Sequence, residues 1–258
     1  MLAELLGTVL LALGDGAIAQ MVLSRGQAGS FLSVNLAYGF AVAFGVYVCC
    51  GVSGTAILAL MSGRLFPYYF TKWSFLPFYW IGQYIGGFCG AVIVYFVYKG
   101  TSYMVTGPNA TANIFATYPA AYLSTGGGLL DQIVGTAVLL ACVLAILDQR
   151  NTQVPTYFAP LLIGFVIMVL GMSYGFNSGY ALNPARDLGP RLFTLMVRWG
   201  SESFTAFRYW FWVPIIGPHI GALVGSLIYI AFVQLHWPRG EPQLLEAIEI
   251  KSPLRGHY

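Results

Sequence analysis

The stretch that invites a chemical reading is Gly175-Phe-Asn-Ser-Gly179-Tyr180-Ala-Leu-Asn183-Pro184-Ala185-Arg186-Asp187. Asparagine followed by proline is a helix-start signal. The asparagine side chain accepts hydrogen bonds from free backbone N–H groups, and proline suits the first helical position, where its missing N–H costs nothing. Leu188, Leu192 and Phe193 continue the segment with apolar residues. Two placements fit this pattern. In one, a short half-helix starts inside an apolar environment and aims its positive dipole end and Arg186 at a cavity. In the other, the pair caps an ordinary interfacial helix with Arg186 paired to Asp187. The second must also explain a basic residue within an otherwise apolar hairpin. No nucleophile–base pattern accompanies the stretch, and the chain has only 3 histidines, so enzyme chemistry has nothing to build on.

The elements that must position these residues are dictated by composition. The 258 residues are 58% hydrophobic and 8% charged, against roughly 25% charged in a soluble domain. With a mean hydropathy of +0.73, too few polar groups remain to cover a water-exposed surface. Lipid is the solvent this fold expects, and several apolar runs approach the ~20 residues that span a bilayer. The net charge of +3 is small and no basic tract is present, which speaks against nucleic acid. Cys49, Cys50, Cys89 and Cys142 all lie in apolar segments without metal-type spacing, so they read as small buried hydrophobes. No metal or cofactor is expected. Met1 is followed at once by an apolar run holding Glu4 and Asp15 with no basic stretch before it, which does not read as a cleavable signal peptide.

Hydropathy predicts six spans: Leu2–Leu23, Phe31–Val52, Leu76–Val97, Leu129–Leu147, Phe158–Tyr174 and Trp212–Val233. The long connections 99–128 and 175–211 separate some of them, and the polar tail 236–258 is expected to be cytosolic and poorly ordered. An even number of spans puts both termini on one side. Arg64, Lys72, Arg150, Arg239, Lys251 and Arg255 would face the cytosol, against Arg25, Lys99, Arg198 and Arg208 outside. That balance favours cytosolic termini by the positive-inside rule. Asn109-Ala110-Thr111 is a glycosylation sequon in a connection that this topology places outside.

The two halves echo one another. Glu4-Leu-Leu-Gly7-Thr8 returns as Gln132-Ile-Val-Gly135-Thr136, Ser53-Gly54 as Ser178-Gly179, and Gly86 with Gly90 as Gly221 with Gly225, at offsets of 128, 125 and 135. The chain therefore reads as a single domain over 1–258, with one repeat over about 1–100 and another over about 127–235. Three spans per repeat is odd, so the second copy must be inverted in the membrane, and functional elements of both halves meet near the bilayer midplane. The glycines also form small-xxx-small pairs that allow close helix contact.

Over nearly its whole length the chain resembles the aquaporin family, and within it the glycerol-conducting aquaglyceroporin branch. The resemblance runs from Ala3-Glu4-Leu-Leu-Gly7-Thr8 to Trp212-Val-Pro214 and Gly217-Pro218-His-Ile-Gly221-Ala222. Asn183-Pro184-Ala185-Arg186-Asp187 is similar to the family's second signature, with the aspartate typical of the glycerol branch, and Phe115-Ala-Thr-Tyr118-Pro119 resembles that branch too. The resemblance implies an all-α membrane protein with six transmembrane helices, two re-entrant half-helices and an inverted internal repeat. It implies a homotetramer in the plasma membrane with one pore per protomer, passing water, glycerol, urea and other small polyols. Carried over by position, Tyr38, Gly171, Tyr180 and Arg186 form the selectivity filter. Two aromatic faces would hold the CH edge of glycerol while Arg186 and backbone carbonyls take its OH edge, and Gly171 leaves width. Tyr38 taken alone also fits an aromatic packed between helices. The resemblance makes Glu4 a buried carboxylate anchoring the re-entrant loops, with Gln132 as counterpart, although a cytosolic Glu4 also fits its place near the terminus. Asp15 departs from the small residue usual in the family and is left to the outer vestibule or the interface.

One departure is larger. The repeat places an asparagine at 58, but the chain reads Ser53-Gly54-Thr55-Ala56-Ile57-Leu58-Ala59-Leu60-Met61, so the first Asn-Pro-Ala signature is missing. Three readings compete: a conducting channel, a non-conducting family subunit with a structural or regulatory role, and a coupled transporter. The last needs paired carboxylates within the membrane, for which Asp131 is the nearest candidate.

Overall fold

A computed structural model describes residues 1–53, 74, 76–101, 103 and 111–237. The missing first signature (Thr55–Met61, with Leu58), the sequon residue Asn109 and the tail beyond 237 lie outside these residues. All regular structure among the described residues is helical: α1 (Leu2–Val9), α2 (Ala12–Leu23), α3 (Phe31–Ser53), α4 (Leu76–Val97), α5 (Thr125–Leu147), α6 (Ala159–Ser178), α7 (Pro184–Met196), α8 (Glu202–Tyr209) and α9 (Val213–Phe232). Six stretches are long and apolar enough to cross a membrane; α1 and α2 form the first of them, Leu2–Leu23.

Two boundaries lie about four residues from the hydropathy reading, for local reasons, and the others agree to within about one residue. α5 begins at Thr125 rather than Leu129, because Ser124 caps it by accepting the Gly127 N–H at 3.1 Å. Glycines 126 to 128 carry no apolar side chain to announce that turn. α6 runs on past Tyr174 to Ser178, through polar residues that bond elsewhere, and stops where Gly179 adopts φ +71°. That left-handed geometry suits glycine and ends helices.

Lipid gives helices no hydrophobic reason to associate, so their faces are sorted by packing and polar contacts. On α3, Leu32, Leu36, Phe40, Phe44, Val48 and Val52 recur every fourth residue and are all exposed, forming a stripe for lipid or a neighbouring protomer. The opposite face buries Asn35, Tyr38, Val46 and Cys49. The repeat is visible in the contacts. A Cβ on Gly86 would stand 2.5 Å from the Leu5 carbonyl oxygen and 2.8 Å from Thr8 Cβ; on Gly221 it would stand 2.5 Å from the Ile133 oxygen and 2.8 Å from Thr136 Cβ. Leu5 and Thr8 map onto Ile133 and Thr136 at the same offset of 128. At the crossing of α3 and α6, Gly39 and Gly164 each approach the other's carbonyl oxygen, at 2.6 and 2.5 Å from the position of a Cβ. The same helix approach thus recurs in the two halves, with glycine at each close contact. α7 packs against α4 in the same manner, with a Gly87 Cβ position 2.6 Å from the Ala185 oxygen.

Candidate pore and selectivity filter

The chain reaches α7 through a tight loop. Tyr180 and Leu182 are non-glycine residues with φ of 37° and 48°. Such geometry costs about 1–3 kcal/mol per residue and persists only where the surroundings hold it. Gln132, fully buried on α5, is one such hold: its Oε1 accepts the Leu182 N–H at 3.0 Å and its Nε2 donates to Ser178 Oγ at 2.8 Å. Asp131 is a second, accepting from Ser178 Oγ at 2.5 Å and from Asn177 Nδ2 at 2.9 Å. The carboxylate a coupled transporter would need is thus engaged in loop structure. Glu4, the repeat partner of Gln132, is 0% exposed, and its Oε2 accepts from Gln83 Nε2 at 2.6 Å. A cytosolic Glu4 is ruled out. Its Oε1 has no partner among the described residues.

Asn183 then caps α7, its Oδ1 accepting from Ala185 N at 2.9 Å and Arg186 N at 3.3 Å, with Pro184 opening the helix. Pro184 and Ala185 are buried. Asp187 does not pair with Arg186. It takes Arg191 Nε at 2.8 Å as an i,i+4 ion pair, and it accepts from Thr117 N and Thr117 Oγ1 at 2.7 and 2.6 Å. Arg191 Nη2 also donates to the Thr117 carbonyl at 2.6 Å. The connection that carries Thr117 is thereby tied to α7, and the Arg186–Asp187 pair of the alternative reading does not form. Tyr118 lies 4.7 Å from the Arg191 guanidinium, and burial pushes its phenol above the ordinary value, so it stays neutral.

Arg186, freed from Asp187, turns toward the other half of the molecule. Its Nη1 donates to the Phe115 carbonyl at 3.3 Å and its Nη2 donates to the Tyr38 hydroxyl. The guanidinium sits 4.8 Å from the Tyr38 ring centre, and the Tyr38 and Tyr180 rings meet edge to face at 6.1 Å. Gly171 is the fourth member: a Cβ there would stand 2.6 Å from Tyr180 Cζ and would collide with Asn35 Oδ1. The four residues selected by position therefore converge. The width above Gly171, however, is already taken by the Asn35 carboxamide and the Tyr180 ring.

Asp15 is placed neither in a vestibule nor at the interface. It is buried, accepts a hydrogen bond from the Tyr38 hydroxyl, and lies 3.8 Å from Arg186 Nη2. Asp15 and Asn35 are the site residues that sequence reasoning missed. The available signal for Asn35 was its place one helical turn before Tyr38, on the same face. A cavity of about 50 Å³ is lined by Tyr38, Tyr180, Arg186 and Asn183 together with the apolar Val42, Leu139 and Ile163. A mostly apolar wall with a few convergent polar groups suits a small, uncharged, hydroxyl-bearing molecule.

Residues 1–229 match the family model described as major intrinsic protein. The chain is 44% identical over 245 residues to aquaporin-9 of Homo sapiens, a match covering 92% of this chain and 83% of that protein. It is 45% identical over 253 residues to aquaporin-10 of Homo sapiens (93% and 82%) and 43% identical over 266 residues to aquaporin-10 of Milnesium tardigradum (95% and 65%). The chain thus spans under two thirds of the tardigrade protein. Among solved structures, the aquaglyceroporin from Plasmodium falciparum is similar with a TM-score of 0.78 and 28% identity, over 90% of this chain and 96% of that one.

Proposed function

The chain belongs to the major intrinsic protein family, and from that premise we propose that it is a passive transmembrane channel for water and small uncharged solutes such as glycerol. The observation that carries this reading is the convergence of Arg186 from α7 and Tyr38 from α3 with Tyr180 around one cavity, with Gly171 set against the Tyr180 ring. Two aromatic rings at right angles offer a greasy corner to the CH edge of a polyol, and the guanidinium offers donors to its OH edge. A bare cation faces the positive end of α7 and cannot recover its hydration, which excludes it. Asn183, which also lines the cavity, presents its amide to the solute or water passing through. Asp187 and Gln132 do not touch the solute in this account; they hold the loop and half-helix that aim Arg186.

The finer features belong to the same proposal. Urea and other small polyols fit the filter on size and hydrogen bonding. The exposed apolar stripe on α3 supports a homotetramer with a pore in each protomer. The Lys and Arg balance supports cytosolic termini, the family resemblance a plasma-membrane location, and the sequon a glycan at Asn109. The test is Gly171→His reconstituted in liposomes and followed by stopped-flow light scattering. A histidine there drives the Asn35 and Tyr180 side chains into the passage, so glycerol flux should fall several-fold more than water flux. Equal loss of both, or of neither, contradicts the filter assignment.

A further inference from the structure

Asn35 is fully buried on the inward face of α3, its carboxamide set against Gly171, yet neither its Nδ2 nor its Oδ1 has a hydrogen-bond partner among the described residues. A buried carboxamide left unpaired forfeits its hydration with no return, so its retention asks for a partner that comes and goes. Its place supplies one. Asn35 Oδ1 fills the space that a side chain at Gly171 would occupy, next to the Tyr180 ring, whose hydroxyl is likewise buried and unpartnered. Arg186 already spends one Nη on the Phe115 carbonyl and the other on Tyr38. The arginine has no acceptor to offer the proton of a polyol hydroxyl, so it alone satisfies only half of what each hydroxyl asks for.

We propose that Asn35 is a specificity-determining residue of the filter, its carboxamide and the Tyr180 hydroxyl exchanging hydrogen bonds with the hydroxyl edge of a passing polyol. An amide offers donors and an acceptor in one plane, which matches a hydroxyl that is both donor and acceptor. Glycine at 171 opens the notch, and the polar group that lines it comes from the neighbouring helix. The proposal rests on the filter reading of Tyr38, Gly171, Tyr180 and Arg186.

The experiment compares the parent chain with Asn35→Ala, Asn35→Ser and Asn35→Leu in proteoliposomes, measuring glycerol and water permeability and, in detergent, Tm. Loss of a hydrogen bond to the permeating solute should lower the glycerol-to-water ratio about five- to tenfold in the Ala and Leu variants. Asn35→Ser, nearly the size of alanine but with a hydroxyl, should recover part of the ratio. Tm should hold or rise in all three, because no internal hydrogen bond is removed. A higher glycerol flux in Asn35→Ala shows a steric plug and overturns the proposal. So do Ala and Ser variants with equal ratios, or a joint fall of both fluxes with Tm. A parent chain that passes neither solute overturns the filter reading itself, and this is seen before any substitution is made.

Discussion

At Asp15, a carboxylate, a phenol and a guanidinium form one buried chain: Arg186 donates to Tyr38, Tyr38 donates to Asp15, and the two charges stand 3.8 Å apart. Breaking a buried pair by removing one partner leaves the other charge without compensation, at a cost of about 3–5 kcal/mol. Asp15→Ala should therefore lower Tm clearly in a detergent thermal melt. Asp15→Asn, which keeps an oxygen for the Tyr38 hydroxyl, should lower it less. Equal Tm for both variants and the parent would mean that the pair does not hold the filter. The meeting of Arg186, Tyr180 and Tyr38 was legible because the first two sit in one motif and the family resemblance carries the third over by position. The partners of Asp15 were not. A sequence shows that a charge is embedded in an apolar run, but it carries no register between one span and another.

Among elements, the close approaches depend on glycine. A methyl group on Gly221 meets the Ile133 carbonyl oxygen at 2.5 Å, whereas a methyl group on Gly126 meets nothing within 4 Å. Gly221→Ala must push α9 away from α5, which costs about 1–3 kcal/mol as overpacking; Gly126→Ala should be neutral or slightly stabilising through helix propensity. Denaturation of the two variants side by side checks this, and equal stabilities would contradict the packing account. The repeated glycines and the Asn183-Pro184 cap announced these elements before any coordinates, since each is a backbone requirement written in a single residue type. The ends of α5 and α6 did not show. Glycines 126 to 128 and the polar pair Asn177 and Ser178 lower the hydropathy where the helices in fact continue, and side-chain bonds from Ser124 and Asp131 decide the matter.

For the whole molecule, the six spans followed from length and composition alone, and the inverted repeat from three offsets between the halves. Assembly is the property that one protomer must project outward. The recurrent exposed side chains of α3, from Leu32 to Val52, should bury against a neighbouring protomer or lipid. Chemical crosslinking in mild detergent is expected to give a four-protomer species, and a pattern of monomers alone would speak against the homotetramer. The sequence also has Leu58 where the repeat would set an asparagine to match Asn183 of the other half. The central claim is passage of a neutral solute, and the direct measurement is the swelling rate of proteoliposomes in an inward glycerol gradient. The account predicts swelling well above that of protein-free liposomes, with a low activation energy and no dependence on a proton or sodium gradient. Swelling indistinguishable from protein-free liposomes, with the protein verified as folded and inserted, would contradict it.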